Sequence, residues 1–401
     1  IRQQRRTMLR QSFSRTAHAR TGSAGGVPVG RHGFSRCTGH VERRSAVIRR
    51  WSHFDVGASA APWRRSPVLR DAVALRGAGE RDRLSWRRYP PHRLKIKLTL
   101  LVVVSCLAAL GWTFVRRPLP VPKAMGEVLP EAPSVEGASL WVVRGAEMKS
   151  QEGFGVRGGS LSKSFVSGLV AFLIEHPYGR LLIDAGVGRN VYAHLGTTPR
   201  LMQALASIEL EQATIDALAT RDIQASDLRG IILTHSHWDH VSGLEDLRDV
   251  PVWMTPEELD HARSDDAGGK LYRQLEAQDP FQLHDLTFPD GAYGPFEESK
   301  DFFGDGVVVL VPMPGHTPGS IGVFVNLSPV RRFLIIGDTA WTREGVDWPA
   351  EKPWLARRMF DHDPAEVRTQ LVLLHQLQRA NRDLVIVPAH DARVHVQVPS
   401  F

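Results

Sequence analysis

Along the C-terminal two-thirds of the chain, apolar positions follow two different periods. Short β-branched runs at 140–143, 169–174, 180–183, 230–233, 307–311, 321–325, 333–336 and 384–387 predict strands. Helical spacing predicts helices around 200–208, 212–219, 256–263 and 364–379. Strands with helices between them predict an α/β fold in which sheets are covered by helices. Upstream the pattern changes. Residues 98–115 read LTLLVVVSCLAALGWTFV with no charge inside, flanked by Arg93, Lys95 and Lys97 before and by Arg116 and Arg117 after. That length is near the lower limit of roughly 18 apolar residues for crossing a bilayer as a helix. Residues 93–117 are therefore read as a membrane anchor or an uncleaved signal, with a buried core helix as the alternative. Pro118, Pro120, Pro122, Pro130 and Pro133 make 118–138 an extended linker, and residues 139–401 form the folded domain.

Residues 1–92 mix Arg, Ser, Gly and Ala without a sustained period of 2 or 3.6, and are read as disordered. The chain starts at Ile1 with its first methionine at Met8, so part of this stretch is read as a fragment end or an overextended gene model, with an Arg-rich transit peptide as a further reading. Charge separates this stretch from the rest of the chain. Residues 1–97 hold 23 Lys+Arg against 5 Asp+Glu, a net of +18, which leaves 27 against 38, a net of −11, for residues 98–401. The basic excess on the N-terminal side of the apolar run places that side in the cytoplasm and the domain beyond it. A mildly acidic domain lacks the clustered cations that nucleic acid requires, so no nucleic-acid partner is expected. Both cysteines, Cys37 and Cys106, precede the domain, which excludes a disulfide framework and a Cys-ligated zinc.

The chemistry lies where the apolar runs stop. The run at 231–233 ends in Thr234-His235-Ser236-His237-Trp238-Asp239-His240, and the run at 307–311 ends in Pro312-Met313-Pro314-Gly315-His316. The run at 333–336 ends in Gly337-Asp338, and the run at 384–387 ends in Pro388-Ala389-His390. Sites gather at strand ends because the loops there are free to turn side chains toward one point. Four potential ligands within 235–240 cannot share one face of a strand or helix, so this segment is expected to be a loop wrapped around metal. Imidazoles and carboxylates suit zinc, with iron, manganese or cobalt able to use the same donors. The set is large enough for two divalent ions, whose joint effect is to generate hydroxide near neutral pH and polarise the bond it attacks, that is, hydrolysis.

These segments, together with Gly315-His316-Thr317-Pro318-Gly319-Ser320, resemble the metallo-β-lactamase superfamily in its dinuclear hydrolase branch, over about residues 139–390. The resemblance implies an αββα sandwich with two metals at one edge. His235, His237 and His316 would bind the first, Asp239, His240 and His390 the second, and Asp338 would bridge them. Asp184, closing Leu181-Leu182-Ile183-Asp184-Ala185-Gly186, matches the family's early aspartate and is expected to orient ligand donors without touching metal. Asp239 is expected to double as the acid that protonates the leaving group. Trp238 and Trp341 are candidates for lining a pocket for a small-molecule substrate, in place of packing into the core.

Substrate class follows less directly, because one fold hosts many chemistries. The domain has no cysteine, unlike the antibiotic-hydrolysing members that carry one in the second site. Its layout is similar to that of acyl-homoserine lactonases, which implies a metal-bridged hydroxide attacking a lactone or related carboxylic ester. Those enzymes usually place a tyrosine three residues after the bridging aspartate, and here Trp341 stands there. Thioester or phosphoester hydrolysis is the alternative on the same donors. A non-catalytic, membrane-tethered metal-binding scaffold is the alternative from another class.

Overall fold

The computed structural model describes residues 91–123, 126–266 and 268–400, all within one compact unit, Ser85–Phe401. The expectation of disorder for residues 1–92 falls, but for its last two residues, outside the described residues. Strands β1 (Ser139–Gln151), β2 (Ser164–Glu175), β3 (Arg180–Ile183), β4 (Ile208–Leu210), β5 (Leu228–Ile232), β6 (Val252–Met254) and β7 (Leu283–Asp285) form one sheet, in the order β4-β1-β2-β3-β5-β6-β7. Strands β8 (Lys300–Asp301), β9 (Val308–Pro312), β10 (Ile321–Ser328), β11 (Arg331–Ile335) and β12 (Leu384–Val387) form the second, in the order β12-β11-β10-β9-β8.

The near-continuous apolar strands are explained by burial on both faces. Alternate residues of β2 part company: Leu169, Ala171 and Leu173 join a cluster with Ala217, Leu218, Leu271 and Leu275 from the helices over the first sheet. Val170, Phe172 and Ile174 turn the other way, into the layer shared with Leu310, Val323, Val325, Phe333 and Ile335 of the second sheet. The far face of that sheet, including Val309, Phe324 and Leu334, is closed by Val367, Leu371, Leu374 and Leu377. Those four lie on one stripe of the helix Pro364–Ala380, whose first turn is fixed by Pro364 and by Asp363 accepting from the amides of Ala365 and Glu366. The layers therefore run helix, sheet, sheet, helix.

Direction matters more to function than layering does. β3 and β5 are parallel in the first sheet. In the second, β11 and β12 are parallel, and β9 shares their direction because β10 runs opposite to both of its neighbours. The C-terminal ends of β5, β9, β11 and β12 thus deliver their loops to one edge of the sandwich. Backbone bonds join the two sheets there: Ile321 N donates to the Thr234 carbonyl at 3.1 Å and Gly168 N to the His390 carbonyl at 3.2 Å.

The Pro91–Trp112 helix presents apolar side chains to solvent on every side, from Leu110 at 44% exposed to Leu94 at 67%. It is long and apolar enough to cross a membrane, and the buried-core-helix alternative is corrected by that exposure. The described residues of 118–138, a stretch read as an extended linker, carry no helix or strand, and several lie against the domain. Leu129 is buried, its amide donates to Asn381 Oδ1 at 2.8 Å, and the Pro130 carbonyl accepts from Arg332 at 3.0 Å.

Candidate metal centre

Two of the turns into the site are shaped by a glycine two or three residues beyond the strand. Gly337 (φ +49°) and Gly315 (φ +128°) adopt backbone conformations that suit glycine, and they direct Asp338 and His316 inward. The segment after β5 is a loop only as far as His237. Trp238–Val241 is a single helical turn, in which residues three apart share a face. Trp238 and Val241 consequently join the core cluster over the first sheet, while Asp239 and His240 turn to the site. This corrects the pocket assignment of Trp238: it is a buried core residue at 6% exposure.

The sequence-predicted donors come together in two groups. His235, His237, His316 and Asp338 form one, Asp239, His240 and His390 the other, with donor atoms in each lying within 4.8 Å of one another. Asp338 faces both. Its Oδ1 is 3.0 Å from His390 Nε2 and 3.4 Å from His240 Nε2, while Oδ2 is 3.6 Å from His316 Nε2. Asp239 Oδ2 lies 3.3 Å from His390 Nε2. His235 Nε2, His240 Nε2 and Asp338 Oδ1 are buried and make no hydrogen bond. Buried polar atoms are almost always satisfied, so orphaned donors aimed at a shared point fit divalent cations. Borderline ions such as zinc match this chemistry.

In four of the five histidines the opposite ring nitrogen is occupied, while His237 turns its Nδ1 to within 2.9 Å of His316 Nε2. Asp184 Oδ2 takes His240 Nδ1 at 2.7 Å, Asp361 Oδ1 takes His316 Nδ1 at 2.9 Å, and the Gly168 carbonyl takes His390 Nδ1 at 3.0 Å. His235 Nδ1 lies 3.1 Å from Thr234 Oγ1, which in turn donates to Asp184 Oδ2 at 2.9 Å. Such contacts orient these four rings with Nε2 toward the shared site. Asp184 also accepts from Thr234 N at 2.7 Å, and it adopts φ +58°, uncommon for a residue with a side chain.

Sequence reasoning missed three buried groups that brace this set. Lys352 Nζ reaches Asp361 Oδ1 at 2.6 Å and the Asp338 carbonyl at 2.9 Å. Glu258 accepts from Ser236 N at 2.7 Å and from Thr317 Oγ1 at 2.5 Å, tying two ligand loops together. Asp361, Lys352 and Glu258 sit outside the apolar runs that announced the ligands, and Glu258 reads in sequence as an ordinary helix acid. The Trp341 indole N–H donates to Asp338 Oδ2 at 2.8 Å, and its ring meets Phe360 edge-on with centroids 5.2 Å apart.

The two groups differ electrostatically. Burial, with the neighbouring imidazoles, pushes His235 and His237 well below the usual histidine range. Burial also opposes charge on His240, but the carboxylates of Asp184 and Asp239 raise it well above that range. His390 is raised against burial by Asp338, whose own carboxyl is held well below the ordinary range, against burial, by His390 and His240.

Comparisons with known proteins agree with this arrangement. A sequence profile of the metallo-beta-lactamase superfamily matches residues 168–390, more than half the chain. A probable metallo-hydrolase of Mycobacterium tuberculosis is 31% identical over 237 residues, covering 55% of this chain and 73% of its own length. An N-acyl homoserine lactonase of Rhizobium radiobacter is 24% identical over 191 residues, covering 46% of this chain and 70% of its own length. Among solved structures, an N-acyl homoserine lactone hydrolase with N-hexanoyl-L-homoserine bound at its catalytic metal center gives a TM-score of 0.52 at 16% identity. That match covers 67% of this chain and 98% of the other and is a likeness of fold. With these matches and its clustered His and Asp donors, the chain belongs to the metallo-beta-lactamase superfamily and is a metal-dependent hydrolase.

Proposed function

We propose that the chain hydrolyses a lactone or related carboxylic ester at a centre of two divalent cations, zinc being the best matched to its donors. The observation that carries this reading is the placement of Asp338, with one oxygen toward His240 and His390 and the other toward His316. His235, His237 and His316 would hold one cation, Asp239, His240 and His390 would hold the other, and Asp338 would serve both. Bound there, the cations polarise the bond under attack and bring a water's pKa near neutrality. Asp184, Asp361 and the Gly168 carbonyl hold His240, His316 and His390 with Nε2 inward. Asp239, the more exposed of the two carboxylates, is placed to pass a proton to the departing alkoxide.

The lactone assignment is supported by the lactonase relatives and by the apolar wall of Trp341 and Phe360 beside Asp338. Trp341 spends its single N–H on Asp338, so it shapes the wall and steadies the carboxylate in place of donating to a substrate carbonyl. The exposed helix before the domain is read as a single-pass anchor. On that reading, the excess of 23 basic over 5 acidic residues before position 98 favours an extracytoplasmic domain.

Turnover of a long-chain acyl lactone, a thioester and a phosphodiester, each before and after chelation, tests the substrate class. Chelator-sensitive lactone hydrolysis is expected. Thioester or phosphoester turnover without lactone turnover would overturn the assignment.

A further inference from the structure

The apolar helix is not joined to the domain by a free tether. Arg157 Nη2 donates to the Trp112 carbonyl at 3.2 Å and Gly158 N to the Phe114 carbonyl at 2.9 Å. The Phe114 ring meets Phe154 edge-on with centroids 5.9 Å apart, the Arg116 guanidinium lies 3.8 Å over Trp348, and Leu119 N donates to the Pro349 carbonyl at 2.7 Å. The chain leaving the helix is thus fastened to the segments 154–158 and 348–349.

Those segments border the metal centre. Gly155 packs against Thr342, the neighbour of Trp341, so closely that a Cβ there would come within 2.7 Å of the Thr342 methyl. Arg157 N donates to the Glu351 carbonyl at 2.9 Å, and the next residue, Lys352, bonds the Asp338 carbonyl. The rim they form carries large apolar side chains in the open: Phe154 at 51%, Leu161 at 53%, Trp354 at 51% and Leu355 at 41% exposed. Trp354 and Leu355 open the short helix Trp354–Phe360, whose last residue packs on Trp341. Exposed Arg117 and Arg358 adjoin these residues in the chain, exposed Lys163 is paired with Glu152 at 2.9 Å, and the exposed acid Asp347 is paired with Arg343 at 3.0 Å.

We infer that this rim sits in the interface of the bilayer that the helix spans, so that the catalytic opening takes an acyl-chain ester from the membrane in place of bulk water. The inference rests on the anchor reading above. Trp112 ends the helix, three residues before the uncharged run stops at Val115, so groups bonded to its carbonyl are held near the end of the span. Aromatic and aliphatic side chains flanked by Arg and Lys are the residues that settle there, the apolar parts among acyl chains and the cations among phosphates. An ester bearing a long acyl chain partitions into the same layer.

The test is nitroxide labelling of the full chain in nanodiscs of phosphatidylcholine and phosphatidylglycerol, with Cys37 and Cys106 replaced by serine. Labels are placed through Leu161→Cys and Leu355→Cys on the rim, Val103→Cys within the span, and Val330→Cys at the turn leading into the far end of β11. Oxygen is expected to relax the labels at 103, 161 and 355 more than a water-soluble nickel chelate does, and the reverse is expected at 330. Rim labels behaving like the one at 330, with 103 in lipid, would overturn the docking and leave the anchor intact. A water-exposed label at 103 would overturn the anchor and the docking together. The double variant Trp354→Ser with Leu355→Ser is expected to lower kcat/KM about tenfold for a long-chain lactone in vesicles, with a short-chain soluble lactone unaffected. Equal loss on both substrates would contradict interfacial docking.

Discussion

Asp184 Oδ2 lies 2.7 Å from His240 Nδ1 and also accepts the Thr234 hydroxyl, which contacts His235 Nδ1, so one carboxylate orients a donor in each of the two groups. Replacing it should disturb both. Asp184→Asn keeps a residue that tolerates φ +58° but cannot serve all three partners, and it is expected to weaken metal binding about 10- to 100-fold. Asp184→Ala should add backbone strain of about 1–2 kcal/mol. Chelator competition with thermal unfolding separates the two effects: equal unfolding temperatures for the Asn and Ala variants would remove the strain argument.

Lys352 and Asp361 form a buried ion pair at 2.6 Å behind His316. Burial works against charge on Asp361, but Lys352 and His316 hold its carboxyl below the usual range. Lys352→Met leaves that carboxylate without its cation and is expected to cost about 3–5 kcal/mol in denaturant unfolding. Adding Asp361→Asn keeps an acceptor for His316 Nδ1, removes the stranded charge and should recover part of the loss. A double variant less stable than Lys352→Met alone would contradict the pairing.

His395 is buried, its Nε2 donates to the Pro388 carbonyl at 3.1 Å, and burial pushes its pKa down to about 4. The unfolded chain takes up this proton near the ordinary histidine value of about 6.5, whereas the folded chain resists until about 4, so stability is lost as pH falls through that window. The contribution approaches about 3 kcal/mol at its lower end. Subtracting the stability–pH curve of His395→Gln from that of the parent isolates it. A flat difference between pH 6.5 and 4 would exclude the assignment.

His240 has the opposite sign. Asp184 and Asp239 favour its protonated form against burial, so a cation must displace a proton to bind there. Metal affinity should therefore fall as pH falls, and binding should release protons. Titration calorimetry in buffers of different ionisation enthalpy measures the number released, and a heat independent of buffer would contradict the account.

The ligands were legible because each follows an apolar run that could only be a strand, as with 333–336 before Gly337-Asp338. The strands β3 and β12 were likewise found at their full lengths. By contrast β8, two residues pairing only through Lys300 and Asp301, has no pattern of its own and exists because β9 offers it an edge. The helix Lys270–Gln278 was missed although Leu271, Tyr272 and Leu275 mark its buried face. Trp238 was misplaced because an aromatic amid ligands reads as pocket lining, and only the helical turn at Trp238–Val241 reverses its direction. Lys352 and Asp361 carry no local signal, since charge in a loop is ordinarily solvated; tertiary packing alone brings them behind His316.

Asp338, facing both donor groups, implies a centre for two cations. Elemental mass spectrometry on the purified full chain, compared with Asp338→Asn, tests it most directly. About two equivalents of zinc or a similar divalent ion per chain are expected, removable by chelator together with activity, with a marked drop in the variant. Metal well below one equivalent that added zinc or manganese does not restore would contradict it.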